Sequence, residues 1–266
     1  MYRGNLPILM YHHVSRKSGL KTLSISAFRE QMKWLAETGW YTVKTEDIES
    51  FYQGNQLPRK SVMLTFYNGF VDNWFYAFPV LKEFNLNAHI FLITGLIGEG
   101  PARRFTVDKY SHQDCEVQIR IGNADNVMLR WHEVREMYNS GRVAFHPHSR
   151  THTQWGNINL TPEAALTFFR SDILLAREFM KRNMGECSHH LCWHDGYYNS
   201  DYISVAAELG FRFLYTTEKR VNNFKNGTLH LGRISMQERQ HLVWLKRRLF
   251  CYTMPVFSSL YSLYKN

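Results

Sequence analysis

The architecture this sequence predicts is an α/β fold built as one domain, a parallel sheet or barrel wrapped by helices. Three observations carry that expectation. Short apolar runs alternate with amphipathic helical patterns from the start of the chain. The residues able to do chemistry fall directly after the predicted strands, where loops project over a barrel mouth. A length of 266 residues suits a single barrel of this kind.

Leu6 to Tyr11 is an apolar run that ends at His12 and His13 and reads as a buried first strand. Ser26 is placed to cap a helix from Ala27 to Leu35, in which Phe28, Met32 and Leu35 share one face. Gly39 stops that helix and Tyr41 to Val43 follows as a strand. Ser61 to Phe66 is the next strand, leading into Tyr67-Asn68-Gly69-Phe70; Trp74 to Phe84 reads as a helix and Ala88 to Ile93 as a strand. The pattern then lapses into Gly, charged and polar residues, so 95–127 is expected to be a long loop or insertion over one face. Alternation resumes with a helix near Trp131 to Ser140, a strand at Val143 to Phe145 and a helix from Pro162 to Arg182. Further strands are expected at His190 to Trp193, Phe213 to Thr216 and Leu229 to Ile234. The barrel is thus expected to occupy 1–240, with 241–266 a basic, aromatic helical tail.

Composition narrows the class without naming a function. Hydrophobic residues make up 44% and charged residues 21%, ordinary for a globular protein with a sizeable core. Thirty-two Lys and Arg against 23 Asp and Glu leave +9, which favours anionic partners. The basic residues are dispersed and no nucleic-acid motif accompanies them, so a nucleic-acid partner is not expected. Cys115, Cys187, Cys192 and Cys251 have neither disulfide-framework nor zinc-ligand spacing. The first residues hold too short an apolar run for a signal peptide, and no run of eighteen apolar residues appears. A cytoplasmic setting is the expectation.

The sharpest local signal is His148-Ser149-Arg150-Thr151-His152. Histidines four apart can meet on one side of a helical turn, and neutral imidazoles suit a zinc-like ion. Two surface histidines in a chain with thirteen is the plain alternative. His146 is open as a third ligand or as a strand-end side chain.

The ordered set LMYHHVS, LTFYNGF, HSRTH, CWHDGYYN and LGRISM resembles the polysaccharide deacetylases of carbohydrate esterase family 4. It is most similar to the branch acting on poly-N-acetylglucosamine-type glycans. The match runs from about Leu6 to Met236 and implies a distorted (β/α)7-type barrel. In the family, T-F-D-D-G supplies a catalytic base and then a metal ligand; those positions are Tyr67 and Asn68 here. The resemblance makes His148 and His152 the other metal ligands, with zinc the expected ion, and His12 the general acid. The R-x-P-x-G segment corresponds to Cys192 to Gly196, with His194 in the place of Pro; His194 and Asp195 are carried as catalytic candidates.

Amide hydrolysis needs a polarised carbonyl, an activated water and an acid for the departing amine. Tyr67, with an ordinary pKa near 10, is a weak base, and Asn68 brings no negative charge. The resemblance therefore implies a metal-dependent N-deacetylase of N-acetylhexosamine units in a glycan or glycolipid, with its base and ligand positions altered and its activity impaired. A non-catalytic sugar-binding protein is the alternative. Asp72 and Asp195 are acids that could substitute for the lost carboxylates, although residues so placed more often cap helices or face solvent. Trp193, Tyr197 and Tyr198 are open as a stacking wall for a sugar ring or as core and rim packing, and Arg233 in LGRISM as a site-lining residue or as the partner of an acid. The segment Leu242 to Tyr264 is open as an interfacial helix at the inner face of an anionic membrane, near a lipid-linked substrate, or as a helix docked on the barrel.

Overall fold

The computed structural model describes residues 4–16, 19, 21–105, 110–237 and 241–254. Ten strands and eight α-helices are defined among them. In chain order these are β1 (Ile8–Tyr11), β2 (His13–Ser15), β3 (Thr22–Ser24), α1 (Ile25–Glu37), β4 (Tyr41–Thr42), α2 (Thr45–Tyr52), β5 (Ser61–Phe66) and α3 (Phe78–Glu83). There follow β6 (Ala88–Ile93), α4 (His112–Arg120), α5 (Trp131–Asn139), β7 (Val143–Ser149), α6 (Pro162–Met184), β8 (His190–Cys192), α7 (Ser200–Glu208), β9 (Phe213–Tyr215), β10 (Ile234–Ser235) and α8 (Leu242–Thr253).

The main sheet runs β10-β1-β5-β6-β7, with β4 also on β5, and every ladder is parallel. β8 and β9 form a second parallel pair that packs beside β7 without a ladder to it. That gap makes the α/β barrel a distorted one. Parallel strands buried on both faces read as continuous apolar runs, because alternate side chains go to different cores. Ile8, Met10, Met63 and Phe91 point into the barrel, while Leu9, Tyr11, Leu64 and Leu92 pack outward under α1, α3 and α5. A third apolar cluster lies between α6, α7 and β8, around Phe169, Ile173, Trp193 and Tyr202.

Several local expectations change. The cap of the first helix is Ser24, whose hydroxyl accepts from the Ala27 amide at 3.2 Å, so α1 begins two residues before Ala27. Residues 95–127 are not loop throughout, since α4 forms there. Ser111 caps it, and Asp114 returns a bond to the Ser111 amide in a reciprocal capping box. A π-helical turn, Asn73–Ala77, precedes α3 where one regular helix was expected. Of Leu229–Ile234, Leu231 bridges Tyr215 and only Ile234 is in a strand. The described part of the tail is docked: Leu245, Leu249 and Tyr252 of α8 are fully buried, and the Tyr252 hydroxyl donates to Arg220 O at 2.7 Å. Pro255 and the tail aromatics beyond it lie outside the described residues.

Candidate active site

The carboxyl ends of β1, β5, β7 and β8 converge on a cavity of about 360 Å³. His12 follows β1, Tyr67 and Asn68 follow β5, His148 lies near the end of β7 with His152 beyond it, and His194 and Asp195 follow β8. The barrel thereby gathers residues from four segments around one mouth. The turn after β5 is tight: Asn68 and Gly69 have φ of 69° and 85°, and a Cβ on Gly69 would come within 2.6 Å of the Leu92 side chain. Asn tolerates left-handed backbone, and Gly is required where the Leu92 methyl presses. His152 and Asp195 are also left-handed, at φ 61° and 48°, so backbone strain concentrates at this mouth.

Tyr67 does not stand free in the cavity. It is 4% exposed, and its hydroxyl donates to Trp193 O at 2.7 Å. The same oxygen accepts from Arg233 Nη2 at 2.9 Å and from Cys192 Sγ at 3.2 Å. Its ring stacks on His12 with centroids 4.9 Å apart, and the Arg233 guanidinium lies 4.6 Å from its centre. Burial pushes the hydroxyl well above its ordinary pKa, with Arg233 only partly opposing. A phenol so held donates a hydrogen bond and takes no proton from water. Arg233 is 1% exposed and also donates through Nε to Thr216 O at 2.7 Å, so it braces the barrel floor beneath Tyr67.

The imidazoles are neutral for a common reason. Burial pushes His12 and His148 well below the ordinary range and His152 down to about 3, and cationic neighbours add to each shift. His148 Nδ1 donates to Cys192 O at 2.6 Å, which leaves a bare, buried Nε2 with no partner. Asn68 Oδ1 and His12 Nδ1 are likewise buried and unpartnered. His194 Nδ1 meets Thr153 O at 2.7 Å, while its Nε2 is 3.4 Å from Asp195 Oδ2.

These donors only partly match a divalent ion. The tautomer of His148 and the orphaned Asn68 oxygen are what a metal would use. No carboxylate joins them, the His152 ring stacks on His194 at 3.7 Å, and no group of three His, Cys, Asp or Glu among the described residues is arranged to hold a metal. The set lacks the anion that a dication requires, so it does not fit the family's metal triad. The pair also does not sit on a helical turn: His148 is in β7 and His152 in the loop after it, with ring centroids 5.2 Å apart.

Other expectations are corrected. His146 turns into the barrel away from the cavity, 2.9 Å from His89 Nδ1 and 2.7 Å from Ser188 Oγ. Asp72 faces away too and bonds His13 Nδ1 at 2.6 Å, so it does not replace the lost carboxylate. Trp193 is 2% exposed and packs between Phe169 and Tyr198, out of reach of a sugar. Tyr198 donates to Glu218 at 2.6 Å, which leaves Tyr197, beside Gly156, as the exposed ring of the three. Asp195 lines the cavity with its side chain 61% exposed.

Residues the sequence reading missed complete the site. Lys21, His112, Glu116 and Arg120 form a wall of the cavity, most of it carried by α4. The Ser111-x-x-Asp114 cap was the signal that could have found that helix. Asp172 of α6, 2% exposed, accepts from the amides of Arg150 and Thr151 at 3.1 and 2.9 Å and from the Thr151 hydroxyl at 2.7 Å. It pins the loop that ends in His152.

Comparison with known proteins bears on the fold and the family. The family model for polysaccharide deacetylase matches residues 54–214, more than half of the chain. YxkH of Bacillus subtilis (strain 168), which carries a polysaccharide deacetylase designation, is 25% identical over 230 residues, covering 86% of this chain and 70% of that protein. The poly-beta-1,6-N-acetyl-D-glucosamine N-deacetylase of Staphylococcus aureus (strain MRSA252) is 21% identical over 228 residues, 84% and 71% of the two chains. Among solved structures, IcaB from Ammonifex degensii superposes with a TM-score of 0.75 at 21% identity, over 92% of this chain and 97% of its own. The Streptococcus pyogenes deacetylase PplD in complex with acetate gives 0.74 at 21% identity, over 92% and 98%. This chain belongs to the polysaccharide deacetylase family.

Proposed function

We propose that this chain binds N-acetylhexosamine units of a glycan or lipid-linked sugar at the carboxyl face of the barrel, and that it is an N-deacetylase whose hydrolysis is impaired. The observation that carries the reading is the hydroxyl of Tyr67, committed to Trp193 and Arg233 where the family places its catalytic base. Losing an acid–base group costs on the order of 10²–10⁴ in rate. With Asn68 neutral, zinc, the expected ion, binds weakly. A second reading, a sugar-binding protein without turnover, draws on the same pocket and on the exposed Tyr197 beside it.

The test is zinc content, acetate release from N-acetylglucosamine oligomers and glycan affinity, measured for the chain and for a Tyr67→Asp/Asn68→Asp variant. Metal binding and acetate release gained only by the variant support the impaired deacetylase. Ordinary turnover by the unaltered chain rejects impairment. Glycan affinity in both forms with turnover in neither selects the sugar-binding reading.

A further inference from the structure

The wall of the cavity supplied by α4 holds a line of four hydrogen-bonded ionisable groups. His112 and Glu116 stand one helical turn apart on the same face of α4, and both line the cavity beside His12. His112 Nε2 is 3.1 Å from Glu116 Oε1, and its Nδ1 is 3.0 Å from His13 Nε2. His13 Nδ1 is in turn 2.6 Å from Asp72 Oδ2. The line starts at the buried His13–Asp72 pair, with side chains 3% and 16% exposed, and ends at Glu116, 53% exposed at the cavity.

With both carboxylates ionised, Asp72 and Glu116 can only accept, so His13 Nδ1 and His112 Nε2 must both be N–H donors. The contact between the rings then needs one N–H and one bare nitrogen. One ring must therefore carry both its protons, and the four groups together bear one net negative charge. The 2.6 Å contact of His13 with the sheltered Asp72 is shorter than the 3.1 Å contact of His112 with exposed Glu116. Burial, followed by the charge of His13, also pushes His112 down to about 4, so the extra proton belongs to the ring against Asp72. Moving one proton from His13 Nε2 to His112 Nδ1, and another from His112 Nε2 to Glu116, leaves both rings neutral and Glu116 protonated. Every bond in the line survives that shift, and no side chain has to move.

We propose that Asp72, His13, His112 and Glu116 form a proton relay that stores a proton at buried His13 and presents it to the cavity at Glu116. At a deacetylating centre the Glu116 carboxyl would give that proton to a departing amine, and a proton from water returning to Glu116 would recharge His13. The identity of the acceptor rests on the glycan reading above; the relay does not. His12 is poorly suited to the same task. It is neutral, its Nδ1 has no partner, and Lys21, His13 and Arg233 set positive charge around it. The other groups facing the relay are Lys21, which disfavours charge on His112, and Cys115 near Asp72, whose thiol burial pushes to about 12 and keeps neutral.

The relay is tested in the full chain by imidazole nitrogen NMR between pH 5 and 9, which needs no substrate and no turnover. His13 is expected to hold protons on both nitrogens at neutral pH, and His112 to be the tautomer with Nε2–H and a bare Nδ1. In Glu116→Gln, exchange of the His13 N–H protons with water should slow severalfold, because the carboxylate that passes a proton between the line and the cavity is gone. In His112→Asn, adding Glu116→Gln should then leave His13 unchanged. A neutral His13 at pH 7 in the unaltered chain, or a His13 N–H exchange rate that Glu116→Gln does not slow while the circular dichroism is unaltered, overturns the proposal. Failure of the glycan reading would instead appear as absent sugar affinity with these resonances intact.

Discussion

At Tyr67 a single hydroxyl serves three partners, and the cost of removing it can be stated. Tyr67→Phe keeps the ring that stacks on His12 and leaves Trp193 O and Arg233 Nη2 without their partner inside the barrel. A buried polar group stranded in this way costs about 1–3 kcal/mol, and the loss should show as a lower urea midpoint at unchanged slope. Stability within error of the unaltered chain would mean that water or Cys192 takes over the bonds. If the proposed impairment holds, the same environment predicts that Tyr67 and Asn68 need to be changed together to give acetate release. An aspartate at 67 would face Arg233 and regain a paired carboxylate, while one at 68 would add the anion that His148 and His152 lack.

At the scale of elements, α6 sets the position of the loop that carries His152. Asp172 lies on the inward face of that helix and takes three hydrogen bonds from Arg150 and Thr151. The helix itself is well specified: the Thr161 hydroxyl caps Ala164, Pro162 occupies the first turn, and Gly185 ends it at φ 82°. Asp172→Asn removes the charge and one acceptor oxygen while keeping the shape. The variant is expected to lose about 1.5–3 kcal/mol of stability, as for hydrogen bonds to a charged group, and to weaken glycan affinity through a looser 149–152 loop. Unchanged proteolytic sensitivity of that loop would show that β7 alone holds it. α4 has the corresponding role on the facing wall, where its capping box orders the residues that bring His112 and Glu116 to the cavity.

At the scale of the whole molecule, the barrel interior holds a column of histidines away from the mouth. His89, His146 and His190 stack with centroids 5.2 and 4.8 Å apart, tied to Val43 O, Ser188 and Tyr215. Burial holds His89 at about 4, His146 well below the ordinary range and His190 below it. His12, His148 and His152 are depressed in the same direction. Folded rings stay neutral where unfolded rings take protons, so their stabilising effect is complete above the unfolded value of about 6.5. It is lost progressively as the pH falls toward 4, the value for His89. Urea midpoints measured from pH 7.5 to 4.5 should therefore decline steeply below about 6.5, and His89→Gln should flatten that decline. A profile flat to pH 5 would show that the rings reach solvent.

The sequence by itself determined the α/β alternation, the strands of the main sheet and the family, because those depend on local periodicity and on motifs whose order along the chain is enough to compare. It placed His12, Tyr67, Asn68, His148, His152 and His194 at strand ends, which parallel barrels bring to one face whatever the details of packing. Burial and partnership were decided only by the tertiary structure. Tyr67 finds its partners 126 and 166 residues away, so nothing near it in the chain shows that its hydroxyl is engaged. Trp193 and His146 look like site residues in one dimension, yet the alternation of β7 turns His146 into the barrel and Trp193, just past β8, packs into the cluster around Phe169. The line from Asp72 through His13 and His112 to Glu116 joins three separated segments. Its hydrogen bonds reach no more than about 3.2 Å, and contacts that short across distant residues exist only once the chain has folded.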